Sequence, residues 1–233
     1  MDPLVNAYLF AAGNGMRLRP LTDSFQKCLL PVRGKPMLEW WLDAAFDSEI
    51  FDKVCVNIHH AAEESEAWIR AYSQRKKRRV TIFDESKMLL GTAGTIYCHA
   101  DQRRDFMSAY TDTFSEDTFD HLVRIHAEWE RLSGKFMAGL LTFTAPGDGS
   151  TGNMMLGKDK EILSFAEKRG GGGVAWSGVM FAKADFIKQV GSRDKDLARD
   201  VFPRLCGKMV AVANVDAYDI GRGISEYEHF KRY

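Results

Sequence analysis

No stretch of these 233 residues is long and apolar enough to span a membrane, and no charge of one sign prevails: 32 lysines and arginines balance 32 aspartates and glutamates. A neutral chain lacks the basic face that a general nucleic-acid or membrane-surface binder needs, so neither partner is expected. The one basic run, Arg75 to Arg79, reads as the solvated end of a helix whose cations favour its C-terminal dipole, just before a strand beginning at Val80. Cysteines are few. Cys28, Cys55, Cys98 and Cys206 are far apart and form no C-x-x-C, which excludes both a zinc site and a disulfide framework and suits reduced, cytosolic thiols. The N-terminal apolar run is too short for a secretory core, so a cytoplasmic location is expected. No internal repeat is present, and the oligomeric state stays open, a homo-oligomer included.

Two well-known phosphate loops are also missing. The stretch Leu9 to Lys35 opens on an apolar run, Ala7 to Ala12, with the length and bounding glycine of a buried strand. No Gly-Lys-Ser/Thr follows Gly13 or Gly15 at Walker A spacing, and a dinucleotide fingerprint would need a third glycine where Leu18 stands. What is there still points to an anion. Gly13 and Gly15 allow close approach of the backbone, Arg17 and Arg19 bring fixed positive charge, and backbone N–H groups are left to face a phosphate.

The pattern beyond this loop alternates. Met37 to Asp47 has helical spacing, Lys53 to His59 alternates as a strand, Glu63 to Tyr72 reads as a helix and Val80 to Phe83 as a short strand. This β-α-β-α-β order predicts a mainly parallel sheet, with ligands at the carboxyl ends of its strands. Asp105 to Tyr110 is a further strand and Glu116 to Arg131 a long amphipathic helix. Strands follow at 135–144, 153–156, 161–165, 175–181 and 209–215, with helices over 184–190 and 194–205 and a glycine run, 170–173, expected to be mobile.

Three clusters resemble the sugar-1-phosphate nucleotidylyltransferases. The first is Gly13-Asn14-Gly15-Met16-Arg17-Leu18-Arg19-Pro20-Leu21-Thr22, then Lys27, Leu30-Pro31-Val32 and Lys35-Pro36-Met37-Leu38; the second is Glu85 to Thr95, ESKMLLGTAGT. The third comprises Gly152, Glu167-Lys168 and Ser177-Gly178-Val179, with Asp112 at a strand end and Asp219 in Tyr218-Asp219-Ile220-Gly221. The resemblance implies a Rossmann-like three-layer α/β/α nucleotidyltransferase (GT-A-like) fold with a mixed, mainly parallel central sheet. It implies one domain over 1–233, with a nucleotide-binding half to residue 132 and an acceptor-binding half over 133–233.

The same resemblance implies the roles. Ala12, Gly13, Gly15, Met16, Arg17 and Lys27 would hold the nucleotide together with Glu85, Gly91, Thr92 and Ala93. Gly152, Glu167, Lys168, Ser177 and Gly178 would hold the acceptor, Asp112 and Asp219 would place Mg²⁺, and Arg17, Lys27 and Asp112 would carry the catalysis. The implied partners are a nucleoside triphosphate and a sugar 1-phosphate, with GTP and mannose- or heptose-1-phosphate favoured. Uridylyl transfer to an amino-sugar phosphate, cytidylyl transfer to a non-sugar phosphate and a non-catalytic regulatory homologue stay open. Five residues depart from the pattern: Gln26, Thr111, Arg169, Trp176 and Arg222.

Overall fold

The computed structural model describes residues 5–23, 25–145, 153–166 and 173–231. In chain order it contains β1 (Val5–Phe10), the two-residue strands β2 (Pro31–Val32) and β3 (Lys35–Pro36), α1 (Met37–Asp47), β4 (Phe51–Ile58), α2 (Ala62–Lys76) and β5 (Val80–Asp84). There follow α3 (Gly91–His99), β6 (Phe106–Tyr110), β7 (Thr113–Phe114), α4 (Glu116–Leu132), β8 (Ala138–Ala145), β9 (Asn153–Leu156), β10 (Ile162–Ala166), β11 (Gly173–Ala182), β12 (Met209–Asn214), β13 (Tyr218–Asp219) and α5 (Ile224–Lys231). They form two compact units: Met1–Leu89 with Ala109–Phe114 and Tyr218–Tyr233, and Leu90–Ser108 with Ser115–Ala217.

In the first unit β1 pairs in parallel with β4, and β4 with β5, while the end of β6 lies on the other side of β1. All six residues of β1 are buried, which is why its sequence does not alternate. Helix α1 follows Pro36 and buries Met37, Leu38, Trp41, Leu42 and Ala45, one stripe at helical spacing. Helix α2 ends where Lys77 turns left-handed (φ 54°), with Arg75 and Lys76 in its last turn. The basic run is therefore a helix terminus, as its position before Val80 implies.

In the second unit β11 pairs antiparallel with both β8 and β9, β9 with β10, and β8 in parallel with β12. Helix α4 is capped by the Ser115 hydroxyl, which accepts from the Thr118 N–H (3.1 Å), and buries Leu122, Ile125 and Trp129. Phe106, Phe181, Phe186 and Phe202 are fully buried in the same unit. The mixed, mainly parallel α/β class expected from the alternation of elements is what forms.

The differences have local causes. Strand β1 stops at Phe10 because the Ala11 N–H is taken by the Asn57 side chain (2.8 Å) rather than by a neighbouring strand. The strand expected from Lys135 starts at Ala138, since the Lys135 and Phe136 N–H groups bond back to Leu132 O (2.9 and 3.3 Å). The helix expected over 194–205 begins only at Leu197, where Asp196 caps it by accepting from the Arg199 N–H (2.9 Å). It then passes into a 3₁₀ turn, Phe202–Leu205, because Pro203 has no N–H to continue the ladder. Of the glycine run, 170–172 lies outside the described residues, and Gly173 opens β11.

Burial separates the thiols. Cys28 and Cys55 are 2% and 3% exposed, and burial pushes their pKa values up to about 12 and about 11, whereas Cys98 is exposed. At neutral pH a thiolate-directed alkylating reagent should therefore label Cys98 in the native protein and reach Cys28 and Cys55 only after denaturation. Peptide mapping by mass spectrometry checks this, and native labelling of Cys28 would contradict the packing around Lys27.

Candidate functional site

The loop after β1 is built by its own residues. Gly15 is left-handed (φ 61°), and a β-carbon there would lie 2.9 Å from Thr22 Cγ2, so only glycine fits. The buried Thr22 hydroxyl returns a bond to Gly15 O (2.7 Å), the Leu18 N–H donates to the same carbonyl (2.9 Å), and Leu18 is fully buried. The consequence is on the backbone. Among the described residues, the N–H groups of Gly13, Asn14, Gly15, Met16 and Arg17 have no acceptor. Five consecutive unspent donors, with Arg17 and Met16 exposed on a single 3₁₀ turn, make a cradle for an anion.

Lys27 lies beside this loop. A β-carbon on Gly13 would stand 3.9 Å from its ammonium nitrogen. The ammonium pairs with Asp112 Oδ2, the two side chains being 18% and 22% exposed. Burial alone would lower the Lys27 pKa, but the Asp112 charge and hydrogen bond, joined by Asp219, outweigh it and raise it. Asp112 and Asp219, over one hundred positions apart in sequence, meet because β13 pairs antiparallel with β7, Asp219 opposite Thr113. The Ile220 N–H donates to Asp112 O (3.0 Å), and Trp41 Nε1 donates to Thr113 O (3.1 Å), fixing β7 on α1.

Gly221 closes the cluster. A β-carbon there would lie 2.7 Å from Lys27 Nζ, 3.0 Å from Asp112 Oδ2 and 3.1 Å from Asp219 Oδ1, so three charged atoms surround one point. The Gly221 N–H donates to Asp219 Oδ1 (2.8 Å), which turns that carboxylate inward although the residue keeps exposed surface. Its pKa is raised, by the solvent withheld from the inward carboxylate and then by repulsion from Asp112. Two crowded carboxylates of this kind suit a hard divalent cation such as Mg²⁺, which needs only one or two protein carboxylates besides phosphates and water. Among the described residues no group of three or more histidines, cysteines or carboxylates gathers into an all-protein cage.

Glu85 lies in the same unit but is 3% exposed. Its Oε1 accepts from Asn57 Nδ2 (3.0 Å), its N–H donates to Ile58 O (2.8 Å), and His59 Nδ1 bonds to its carbonyl (2.8 Å). Asn57 then holds the Ala11 N–H while Gln26 Nε2 holds the Ala11 carbonyl, so the peptide ahead of Ala12 and Gly13 is gripped from both sides. Gln26 thus has a structural reason: its amide reaches a carbonyl that a proline could not. Thr111 has one too, since its N–H and hydroxyl both donate to Phe10 O (3.2 and 2.9 Å). Nothing in the described contacts explains Arg222.

In the second unit Gly91 is left-handed (φ 77°) and a β-carbon there would overlap Lys195 O at 2.2 Å. The Ala93 N–H is spent on Lys195 O (3.1 Å), and the Thr92 hydroxyl accepts from the Leu197 N–H (3.0 Å). The Ala93 N–H, in a segment the resemblance assigns to the nucleotide, is thus engaged within the unit. Ser177 and Gly178 (φ 90°) lie in an irregular part of β11 and are buried. Gly152, Glu167 and Lys168 fall outside the described residues.

Asn57 looks like any alternating strand residue and has no signal for its role in the sequence, and Gly221 is marked there only as part of the segment that carries Asp219.

The family model described as Nucleotidyl transferase matches residues 6–225. A UTP–glucose-1-phosphate uridylyltransferase of Synechocystis sp. is 27% identical over 220 residues, covering 86% of this chain and 55% of the relative. A putative mannose-1-phosphate guanyltransferase of Sulfolobus acidocaldarius is 25% identical over 207 residues, covering 87% and 54%. The chain thus spans about half the length of these curated relatives. The crystal structure of HddC from Yersinia pseudotuberculosis shares the fold, with a TM-score of 0.77 at 19% identity over 98% of this chain and 99% of that one; it has also been solved complexed with GMP-PN.

Gly221→Ala should drive a methyl into the charged triad and lower the Tm by several degrees, overpacking of 1–3 kcal/mol being worth about 2–4 °C per kcal/mol in a domain of this size. Gly134→Ala, with nothing within 4 Å of the added carbon, should leave it unchanged. Equal Tm values for the two variants, by differential scanning fluorimetry, would contradict the crowding described.

Proposed function

Because the chain belongs to the nucleotidyl transferase family, we propose that it transfers a nucleoside monophosphate from a nucleoside triphosphate to a sugar 1-phosphate, releasing pyrophosphate. The observation that carries this reading is the row of unspent N–H groups from Gly13 to Arg17 beside the Lys27 ammonium, which is itself held by a carboxylate. Those N–H groups find no acceptor among the described residues, and together with the ammonium they suit a polyphosphate.

The chemistry is one of charge. A phosphate oxygen of the acceptor attacks the α-phosphorus, the bond to the β-phosphate oxygen breaks and pyrophosphate leaves. Two anions must approach, and each unit repulsion at about 4 Å is worth about 1 kcal/mol in water and about 4 at an effective dielectric near 20. Arg17 clamps the phosphates of the leaving group, the Gly13–Arg17 N–H groups orient the triphosphate, and Lys27 balances charge at the α-phosphate. Asp112 sets the direction of the Lys27 ammonium through their ion pair. The attacking phosphate is already ionised, so no side chain has to remove a proton; positioning and electrostatics supply the rate. Asp112 and Asp219 would hold Mg²⁺, which when bound supplies counter-charge to phosphate oxygens. Glu167, Lys168, Ser177, Gly178 and Gly152 are the residues offered to the acceptor, an ammonium suiting its phosphate and a carboxylate and hydroxyl its sugar. Gly91, Thr92 and Ala93 are offered to the base and ribose, whereas Glu85, buried and paired with Asn57, supports the loop from behind.

Guanylyl transfer is supported by the guanyltransferase among the relatives and by the GMP-PN complex of the fold neighbour. Uridylyl transfer is the second reading, favoured by the Synechocystis relative.

The test is pyrophosphate release with Mg²⁺ over a grid of nucleoside triphosphates against mannose-, glucose-, heptose- and N-acetylamino-sugar 1-phosphates. Strong release is expected with one nucleotide and one sugar phosphate, falling by at least about a hundredfold in Asp112→Asn, as loss of a major electrostatic group does. A silent grid, or an Asp112→Asn variant of near-normal turnover, would overturn the proposal.

A further inference from the structure

Strand β11 of the second unit carries a bulge. Trp176 pairs with Thr142 of β8 and Met180 with Leu140, so Ser177, Gly178 and Val179 stand opposite Leu141 alone. Gly178 turns through φ 90° to permit it. The bulge is clamped by a side chain: Trp176 Nε1 donates to Val179 O at 2.7 Å, a bond to the third residue onward that a regular strand cannot make. The indole is in turn wedged edge-on against Phe202 (ring centres 4.8 Å apart, 74° between planes), and Phe202 is fully buried against Phe165 and Phe186. Within the bulge the Ser177 hydroxyl is buried and has no hydrogen-bond partner among the described residues. An orphaned buried hydroxyl costs roughly 1–3 kcal/mol, a cost that a hydroxyl-bearing ligand or water would relieve.

We infer that Trp176 is a positioning residue for the sugar phosphate acceptor: its indole N–H holds the bulge in the shape that leaves the buried Ser177 Oγ without a protein partner, so that an acceptor hydroxyl entering at the bulge pairs with it. The inference rests on the nucleotidyl-transfer reading for the identity of that acceptor. The large ring and the N–H are both needed, the ring to anchor the clamp on Phe202 and the N–H to fold Val179 O inward. Trp176→Phe separates them, keeping an aromatic ring in the cluster and removing the donor.

The experiment is steady-state kinetics of the wild type, Trp176→Phe, Ser177→Ala and the double variant, with the nucleotide and sugar 1-phosphate the grid selects. Each single variant should raise the acceptor KM about tenfold with the nucleoside triphosphate KM within about twofold, and the double variant should be no worse than the worse single one, since the two act as a unit. Additive losses, or an equal rise in both KM values, would overturn the inference. A second measurement does not depend on turnover. The ¹⁵N indole resonance of Trp176, assigned by its disappearance in Trp176→Phe, is titrated with sugar 1-phosphates alone. A saturating shift that Ser177→Ala abolishes is expected, and no shift with any of them would overturn the inference. A shift in a protein that releases no pyrophosphate would sink the catalytic proposal and leave this one standing.

Discussion

An ammonium lodged among carboxylates is the constraint from which the first unit's architecture can be understood. Burial works against the Lys27 charge and Asp112 restores it, while the repulsion between Asp112 and Asp219 is offset by Lys27 or another cation. Each of the three comes from a different part of the chain, so the fold has to return twice to one place. It does so with short, stiff pieces: a two-residue ladder between β7 and β13, the Trp41 indole on Thr113 O, and the Tyr227 hydroxyl on Pro31 O (3.1 Å). Helix α5 earns its place through that last bond, anchoring the chain that follows Asp219 to the hairpin that follows Lys27.

The glycines and the polar side chains divide the remaining work. Gly15 permits the loop, Thr22 closes it, and Gly221 leaves the volume in which three charges meet. Glu85, Asn57 and Gln26 grip the peptide ahead of the loop without touching the charges. The paired members of this network, Asn57 between Glu85 and Ala11 and the Gln26 amide nitrogen on Ala11 O, hold the backbone behind the loop. Rigidity behind the loop and unsatisfied donors in front of it are two halves of preorganisation.

Much of this could be read in the sequence and some could not. The span of α1 was legible to the residue, because Pro36 and a strict apolar stripe mark it, and so was the loop with its two glycines and Arg17. Asp112 and Asp219 were legible only through resemblance, since no local pattern says that two aspartates so far apart will face one lysine; that depends on a ladder of two residues. Asn57 and the Trp176 clamp were invisible for a related reason. Their meaning lies in a partner, Ala11 or Val179 O, that periodicity does not name. The segment 194–205 misled because its spacing is helical, while Asp196 delays the start to Leu197 and the chain then forms a π turn and, at Pro203, a 3₁₀ turn in place of an α-helix.

In the proposed reaction Asp112 and Asp219 together face the phosphates offered to the Gly13–Arg17 loop and Lys27. The most direct test is a crystal structure of the protein with Mn²⁺ in place of Mg²⁺ and a non-hydrolysable nucleoside triphosphate, read by the anomalous signal of the metal. The account predicts a peak bound by oxygens of both aspartates, with triphosphate oxygens on the loop N–H groups and the Lys27 ammonium turned to the α-phosphate. A metal seated away from both carboxylates, or a triphosphate that leaves those N–H groups untouched, would contradict it.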